Sequence, residues 1–244
     1  MDNWLVYAKY GTSFRAGGFN LGAGDPRQPI QIPEAYNDEK SKTMEVGAKG
    51  NLLPNVYFTA AAFRSKIGGF IVQLDNGCAL TNAVCPVSAT SFLTNAGKAE
   101  TWGIEMELTA RYEVAGGDLR LDISAARTDG KVIEGIYKNR PIPQNSDWNG
   151  SATLNYRREI GGGFTGLINL NYAFAAGGMQ EIDEPFPLYD SGILDVRLGV
   201  ERNGWSAAVY ATNAANFDYI IYETINVRRW NQPRVYGAQL RYKW

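Results

Sequence analysis

The stretch "TWGIEMELTAR", residues 101 to 111, places Trp102, Ile104, Met106, Leu108 and Ala110 at every second position, with Thr101, Gly103, Glu105, Glu107, Thr109 and Arg111 between them. Successive side chains of an extended strand point to opposite sides, so this segment has one apolar face and one ionic face. The same division recurs along the chain. In "DLRLDISA", Leu119, Leu121, Ile123 and Ala125 oppose Asp118, Arg120, Asp122 and Ser124. In "LDVRLGVE", Leu194, Val196, Leu198 and Val200 oppose Asp195, Arg197 and Glu201. "TMEVGAKGNL", "WNGSATLNYR" and "FTGLINLNY" follow suit, whereas "VYFTAAAFRSKI" carries apolar residues on both faces. No segment offers a helical stripe.

Alternation alone also suits a soluble sandwich, and the connections separate the two folds. Reading ten strands from residue 3 onward, short turns occur at "LLPN" (52–55), "VAGG" (114–117), "EIGGG" (159–163) and "RNG" (202–204). Between them lie long stretches, approximately 13–40, 75–97, 130–146, 175–187 and 213–232. Every second connection is long, as in outer-membrane barrels, whose tight turns and long loops lie on opposite sides of the membrane. Aromatic residues bracket the apolar faces: Trp4 with Tyr10, Trp148 with Tyr156, Phe164 with Tyr172. Amphipathic rings favour the two interfaces that flank an apolar band of about 25 Å. The expected fold class is therefore all-β, an antiparallel transmembrane β-barrel wall of about ten strands.

Composition removes several functions. A chain of 244 residues with a net charge of -1 lacks the basic balance that phosphate neutralisation by a nucleic-acid binder needs. No histidine is present, which excludes a Ser-His-Asp triad, the usual His-bearing zinc site, and the His-dependent chemistry of small barrel proteases. Glu105 and Glu107 are about 7 Å apart along one strand face, within range of a carboxylate pair. The plainer reading is that they face a polar lumen, with Arg111 and Arg120 as ionic partners. No catalytic residue, metal ligand or cofactor is expected. No apolar run reaches the length of a transmembrane helix, which leaves a barrel untouched. The opening "MDNWLVYAKYG" has no signal-peptide pattern, so the chain reads either as cytoplasmic or as an internal piece of a longer exported protein.

Five landmarks decide between these. "VYAKYGTSFRAGGFN", "EVGAKGNLL", "NAGKAETWGIEMELTAR", "YATNAANFDYI" and "NQPRVYGAQLRYKW" occur in the order that resembles the C-terminal half of TonB-dependent outer-membrane receptors. The matching positions are Phe14, Arg15, Gly17, Gly18, Phe19 and Asn20; Asn95, Gly97, Gly103, Glu105 and Glu107; and Asn213 and Tyr219. Ala214 stands where the family usually has Leu, Gln232 precedes Pro233 and Arg234, and the last residue is Trp244 instead of Phe. The resemblance implies a 22-stranded barrel around an N-terminal plug, of which residues 1–244 are the C-terminal barrel portion with the plug domain absent. It further implies localisation in the bacterial outer membrane and import of a scarce ligand, foremost an iron–siderophore complex, driven through the TonB complex. A passive pore or a small structural barrel is the alternative. The implied partners also include outer-membrane lipid and lipopolysaccharide, and the barrel-assembly machinery through the C-terminal strand.

Ligand capture by such a receptor requires loop residues. Candidates are Arg15 and Tyr36 in the first long connection, Tyr137 and Arg140 in the third, and Tyr222, Arg228, Arg229 and Trp230 in the last. Arginine with aromatic rings suits an anionic, partly aromatic ligand through charge-assisted hydrogen bonds and stacking. Cys78 and Cys85 are the only cysteines, and a disulfide between them on the oxidising outer side would contribute about 2–3 kcal/mol. Glycine-rich "RAGGFNLGAG" follows a strand with no helix behind it, which argues for loop over phosphate binding.

Overall fold

The computed structural model describes residues 4–24, 31–75, 91–182, 186–224 and 227–244. Its strands run β1 (Trp4–Arg15), β2 (Gly18–Phe19), β3 (Ala35–Tyr36), β4 (Glu39–Leu53), β5 (Val56–Gly68) and β6 (Ile71–Asp75). They continue as β7 (Ser91–Asn95), β8 (Lys98–Val114), β9 (Gly117–Glu134), β10 (Trp148–Gly161) and β11 (Phe164–Ala176). The last are β12 (Ser191–Arg202), β13 (Trp205–Thr212), β14 (Ile220–Glu223), β15 (Arg228–Trp230) and β16 (Val235–Tyr242). One antiparallel ten-stranded sheet takes the order β1-β4-β5-β8-β9-β10-β11-β12-β13-β16. Three two-stranded hairpins, β2-β3, β6-β7 and β14-β15, lie in the long connections.

Register explains why the wall is unique. Met106 pairs with Ala60 and Ala125, and Leu108 with Phe58 and Ile123, so alternate residues form continuous apolar rows across neighbouring strands. A one-residue slip would move every one of them to the other face. The apolar face is solvent-open: Val6 is 78% exposed and Leu240 70%. A soluble protein rarely presents so extensive a surface, whereas lipid is its natural neighbour. The aromatic brackets Trp4, Tyr10, Trp148, Tyr156, Phe164 and Tyr172 all lie on this face. Arg127, also on it, sets its guanidinium 5.2 Å from the Trp148 ring centre.

The other face is polar and cross-linked by its own side chains. Opposed pairs meet at Ser13–Ser41 (3.1 Å), Thr43–Ser65 (2.9 Å) and Ser124–Ser151 (2.9 Å). The phenol of Tyr7 donates to Glu45 at 2.9 Å. Two apolar faces on β5 have a local reason: Phe63 points to the polar side, where its ring covers Gly103 of the next strand. Arg120 binds Asp122, at 2.7 and 2.9 Å, and not the two glutamates of β8; Glu105 and Glu107 have no ionic partner among the described residues.

Short turns close one end. Ala115-Gly116 and Asn203-Gly204 have positive φ at both positions, the geometry that matches hairpin twist. At the opposite end the wall strands overrun the expected boundaries. β8 has 17 residues and β9 has 18. At about 3.3 Å per residue they outreach an apolar band of about 25 Å, even when tilted. β5, by contrast, stops at Gly68, and the segment after it belongs to the β6-β7 hairpin, not to the wall. Among the described residues β1 and β16 do not pair with each other, so the ten strands form an open sheet.

Candidate ligand-binding face

The long connections sit together at one end of the sheet. We denote them L1 (16–38), L2 (69–97), L3 (135–147), L4 (177–190) and L5 (213–234). They pack over the protein's main apolar core. Ile32 of L1, Phe70, Val72, Leu74, Phe92 and Ala96 of L2, and Ile182 of L4 are buried with Ala99 and Val132 from the strand ends. Tyr137 and Ile142 of L3 pack against the cluster. A membrane wall cannot gather a hydrophobic core between its strands, because its apolar residues face lipid. The loops can, since they lie in water, and burying each large side chain there contributes about 1.5–3 kcal/mol.

Hydrogen bonds then fix the loops. The Asn20 side chain donates to the Leu93 carbonyl (2.8 Å) and accepts from the Leu93 amide (2.9 Å), joining L1 to L2. Asn95 does the same to Asn37, at 3.0 and 2.7 Å, and donates to the Gly69 carbonyl at 2.7 Å. Arg15 donates to the Ile71 carbonyl (2.9 Å) and pairs with Glu39 (3.3 Å), whose carboxylate also accepts from the Ile71 amide at 2.7 Å. Gly17 is required because a Cβ there would lie 2.2 Å from the Tyr36 carbonyl oxygen.

L3, L4 and L5 meet at Gln180, which is 1% exposed. Its carbonyl accepts from the Gln144 side chain (2.8 Å), and its amide oxygen accepts from the Glu223 backbone N–H (2.9 Å). Glu223, 5% exposed, accepts from the Tyr189 hydroxyl and the Arg228 guanidinium. The Tyr189 hydrogen bond, then Arg228, hold its carboxyl below the ordinary range against the opposing effect of burial. Glu223 in turn raises the phenol of Tyr189. Asn213 anchors L5: its side chain brackets Phe217 (3.0 and 2.9 Å) and donates to the Gln232 carbonyl at 3.1 Å.

An open, lipid-compatible sheet with an ordered polar layer at one end is the architecture of an outer-membrane receptor wall, and the family comparison decides it: the TonB dependent receptor-like β-barrel family matches residues 1–242. The chain belongs to that family. Its place is the bacterial outer membrane, and the family is one of transport receptors, not enzymes. A probable TonB-dependent siderophore receptor, PiuA of Acinetobacter baumannii, is 29% identical over 154 residues, covering 58% of this chain and 19% of the relative. The ferric yersiniabactin uptake receptor FyuA of Yersinia pestis superposes with a TM-score of 0.78 at 19% identity, over 99% of this chain and 35% of the other. The solved PiuA structure superposes with a TM-score of 0.72 at 16% identity, over 100% of this chain and 34% of the other. The chain thus spans about a third of the length of these receptor structures.

The receptor's candidate ligand residues fall into three groups. Tyr222, Arg228, Arg229 and Trp230 come together in the β14-β15 hairpin, where Arg229 lies 5.8 Å from the Tyr222 ring centre and Trp230 is 59% exposed. Arg15 and Tyr36 lie at L1; Arg15 is tied to L2, and Tyr36 lines a cleft of about 600 Å³ with Phe19, Asp38 and Lys40. In L3, Tyr137 packs on the apolar core while Arg140 is exposed. Cys78 and Cys85 lie outside the described residues. Sequence reasoning overlooked Gln180, Tyr189 and Glu223, which are far apart in the chain and carry no spacing signal. It named Asn20, Asn95 and Asn213 only as landmarks; their role as brackets required knowing what faced them.

Proposed function

We propose that the receptor imports a scarce anionic metal chelate, foremost an iron–siderophore complex, and that energy reaches it through TonB. The observation that carries this reading is the exposed Arg229–Tyr222 pair on a loop hairpin whose base is fixed to L4 by Glu223, with Trp230 exposed on the next residue. An exposed guanidinium beside a tyrosine ring, with a second exposed ring on the same short strand, offers charge-assisted donors and stacking surfaces to a chelate of carboxylate, phenolate or catecholate type. The likeness to a probable siderophore receptor and to a ferric yersiniabactin uptake receptor supports the same substrate class. The polar face, where Glu105 and Glu107 have no ionic partner among the described residues, suits contact with a plug domain, and the β16 edge (Val235–Tyr242) suits recognition by the barrel-assembly machinery.

The two arginines differ in what they test. Arg228 holds Glu223, so Arg228→Ala would disturb the hairpin as well as any ligand. Arg229→Ala and Trp230→Ala leave that anchor intact. In the full-length receptor, each should weaken binding of the cognate ferric chelate by about tenfold or more, as truncation of a well-placed Arg or Trp does at a binding surface. Titration of purified receptor with a panel of ferric chelates measures this, and unchanged affinity in both variants would sink the assignment. Accumulation of labelled chelate that stops when the proton gradient is collapsed separates energised import from a passive pore.

A further inference from the structure

Two groups of candidate ligand residues stand on loops from different parts of the wall: Tyr137 and Arg140 on L3, between β9 and β10, and Tyr222, Arg229 and Trp230 on L5, between β13 and β16. The L3 group is fixed to the wall. The Val132 amide donates to the Arg140 carbonyl and the Ile142 amide to the Gly130 carbonyl, both at 2.9 Å, while Tyr137 packs on the apolar core. L5 is placed differently, because none of its described residues belongs to that core. Its hairpin meets L4 through Glu223, by polar contacts to Gln180 and Tyr189.

Gln180 joins the two groups. Its own loop holds it first: its backbone N–H donates to the Phe186 carbonyl (3.0 Å), its Nε2 donates to the Pro187 carbonyl (2.9 Å), and nearby Ile182 is buried in the core. Its carbonyl then accepts from Gln144 of L3, and its Oε1 accepts from the Glu223 N–H of L5. Each polar atom of this residue, 1% exposed, is thus engaged. Gln144 carries a second mark. Its φ of 58° lies in the left-handed region, uncommon for any residue but glycine. In that conformation it reaches L4 twice, with its backbone N–H on the Met179 carbonyl and its Nε2 on the Gln180 carbonyl, both at 2.8 Å. Such backbone persists only where its surroundings over-determine it, and it concentrates at functional sites.

We propose that Gln180, with Gln144, is a positioning residue for ligand capture: it fixes the L5 hairpin relative to L3, so that Arg140 and Arg229 are held in one arrangement before an anionic chelate arrives. This rests on the reading of those arginines as ligand contacts. Gln180 lies buried beneath them and touches no ligand itself. Loops ordered in advance lose little further freedom on binding, and that preorganisation appears as affinity. Holding L4 in place needs neither Gln144 in a left-handed backbone nor a reach to L5, since Ile182 already anchors L4 in the core.

The test uses the full-length receptor in detergent, with Cys78 and Cys85 replaced by serine and spin labels at Lys138→Cys of L3 and Ile221→Cys of L5, both exposed positions. Pulsed dipolar spectroscopy of the ligand-free protein then gives the distribution of L3–L5 distances. Gln180→Met keeps the side-chain volume but loses both side-chain hydrogen bonds, and it should widen that distribution about twofold or more. Gln144→Gly suits the left-handed backbone and removes only the side-chain bond to L4, so it should widen the distribution too. This second variant decides alone if Gln180→Met fails to assemble. In unlabelled receptor, uptake is followed with the tightest-binding ferric catecholate or carboxylate chelate of the panel. Gln180→Met should raise its half-saturating concentration by about tenfold, with maximal uptake per folded receptor retained. A loss of maximal uptake alone is what damage to the fold produces, and it would overturn the positioning role. Wild-type distance distributions in both variants would overturn the proposal and leave the transport reading standing. Widened distances with unaltered half-saturation, while Arg229→Ala still weakens binding, would overturn it as well. If Arg229→Ala and Trp230→Ala leave affinity unchanged, the ligand reading falls and the positioning role with it; the ligand-free distances keep that failure distinct from a failure of the coupling.

Discussion

A side-chain amide offers one donor and one acceptor edge, the pair that a strand backbone presents, and the asparagines of the loops use it in place of strand pairing. Asn213 does so in a left-handed backbone, φ 48°, which asparagine tolerates better than most residues, and it is 3% exposed. Asn213→Ala should cost about 1–3 kcal/mol, because buried backbone groups of L5 lose their partners. Asn213→Gly relieves the backbone but not the lost bonds, so only a small part of the loss should return. Denaturant unfolding of the micellar receptor, with protease cleavage in L5 as a second readout, measures both. Glu223 makes a related prediction for pH. Its folded carboxyl is depressed, so its contribution is complete above the ordinary value near 4.5 and is lost as pH falls through the lower, folded value. Tyr189 is raised, so its contribution holds below about 10 and is lost only as pH rises beyond that. Protection of L5 from protease should therefore be level between pH 5 and 9 on the order set by these limits, and Glu223→Gln should remove the acid dependence. A protection midpoint near neutrality would contradict the assignment.

Elements end where close approach, not pattern, dictates. Gly97 precedes β8 with φ 113°, and a Cβ on it would lie 2.0 Å from the Glu134 carbonyl oxygen at the end of β9. Gly135 makes the reciprocal approach to the Ala96 carbonyl. This crossing lets L2 and L3 meet over the apolar core. Gly97→Ala should prevent correct closure of the two loops and lower the yield of folded receptor, while Gly11→Ala, whose Cβ meets nothing within 4 Å, should leave it unchanged. Heat-modifiable mobility on gels after expression compares them. The hairpin turns were legible because Asn-Gly and Gly-rich pairs at residues 203–204 and 161–163 carry their geometry in their composition. The early stop of β5 at Gly68 was not, since "IVQLD" alternates well enough to continue a wall strand and instead pairs with Ser91–Asn95.

At the scale of the molecule, two solvents meet on one sheet. Ala62 lies between Val46 and Ile104 on the lipid face, and Ala61 lies between Gly47 and Glu105 on the polar face. Ala62→Lys should destabilise by about 2–4 kcal/mol if it sits near the midplane, whereas Ala61→Lys gains an acidic neighbour and should cost distinctly less. Equal costs in urea titrations would refute the assignment of faces. The same division explains where order is stored: lipid contact stabilises the strands, and the water-facing loop layer carries the buried core that fixes the candidate ligand-binding face.

The alternation of residues 101–111 and its repeats determined the strand wall, its two faces and the side bearing the long connections, because a strand's side-chain period is two whatever the surroundings. Local chemistry likewise determined the tight turns. Tertiary structure decided which loop residues meet: Gln180 with Glu223, Asn20 with Leu93, and Gln144 with Gln180. Such contacts join positions 36 to 73 residues apart, and no local periodicity encodes a partner at that separation. Only the register of the wall, summed over its paired strands, brings them face to face.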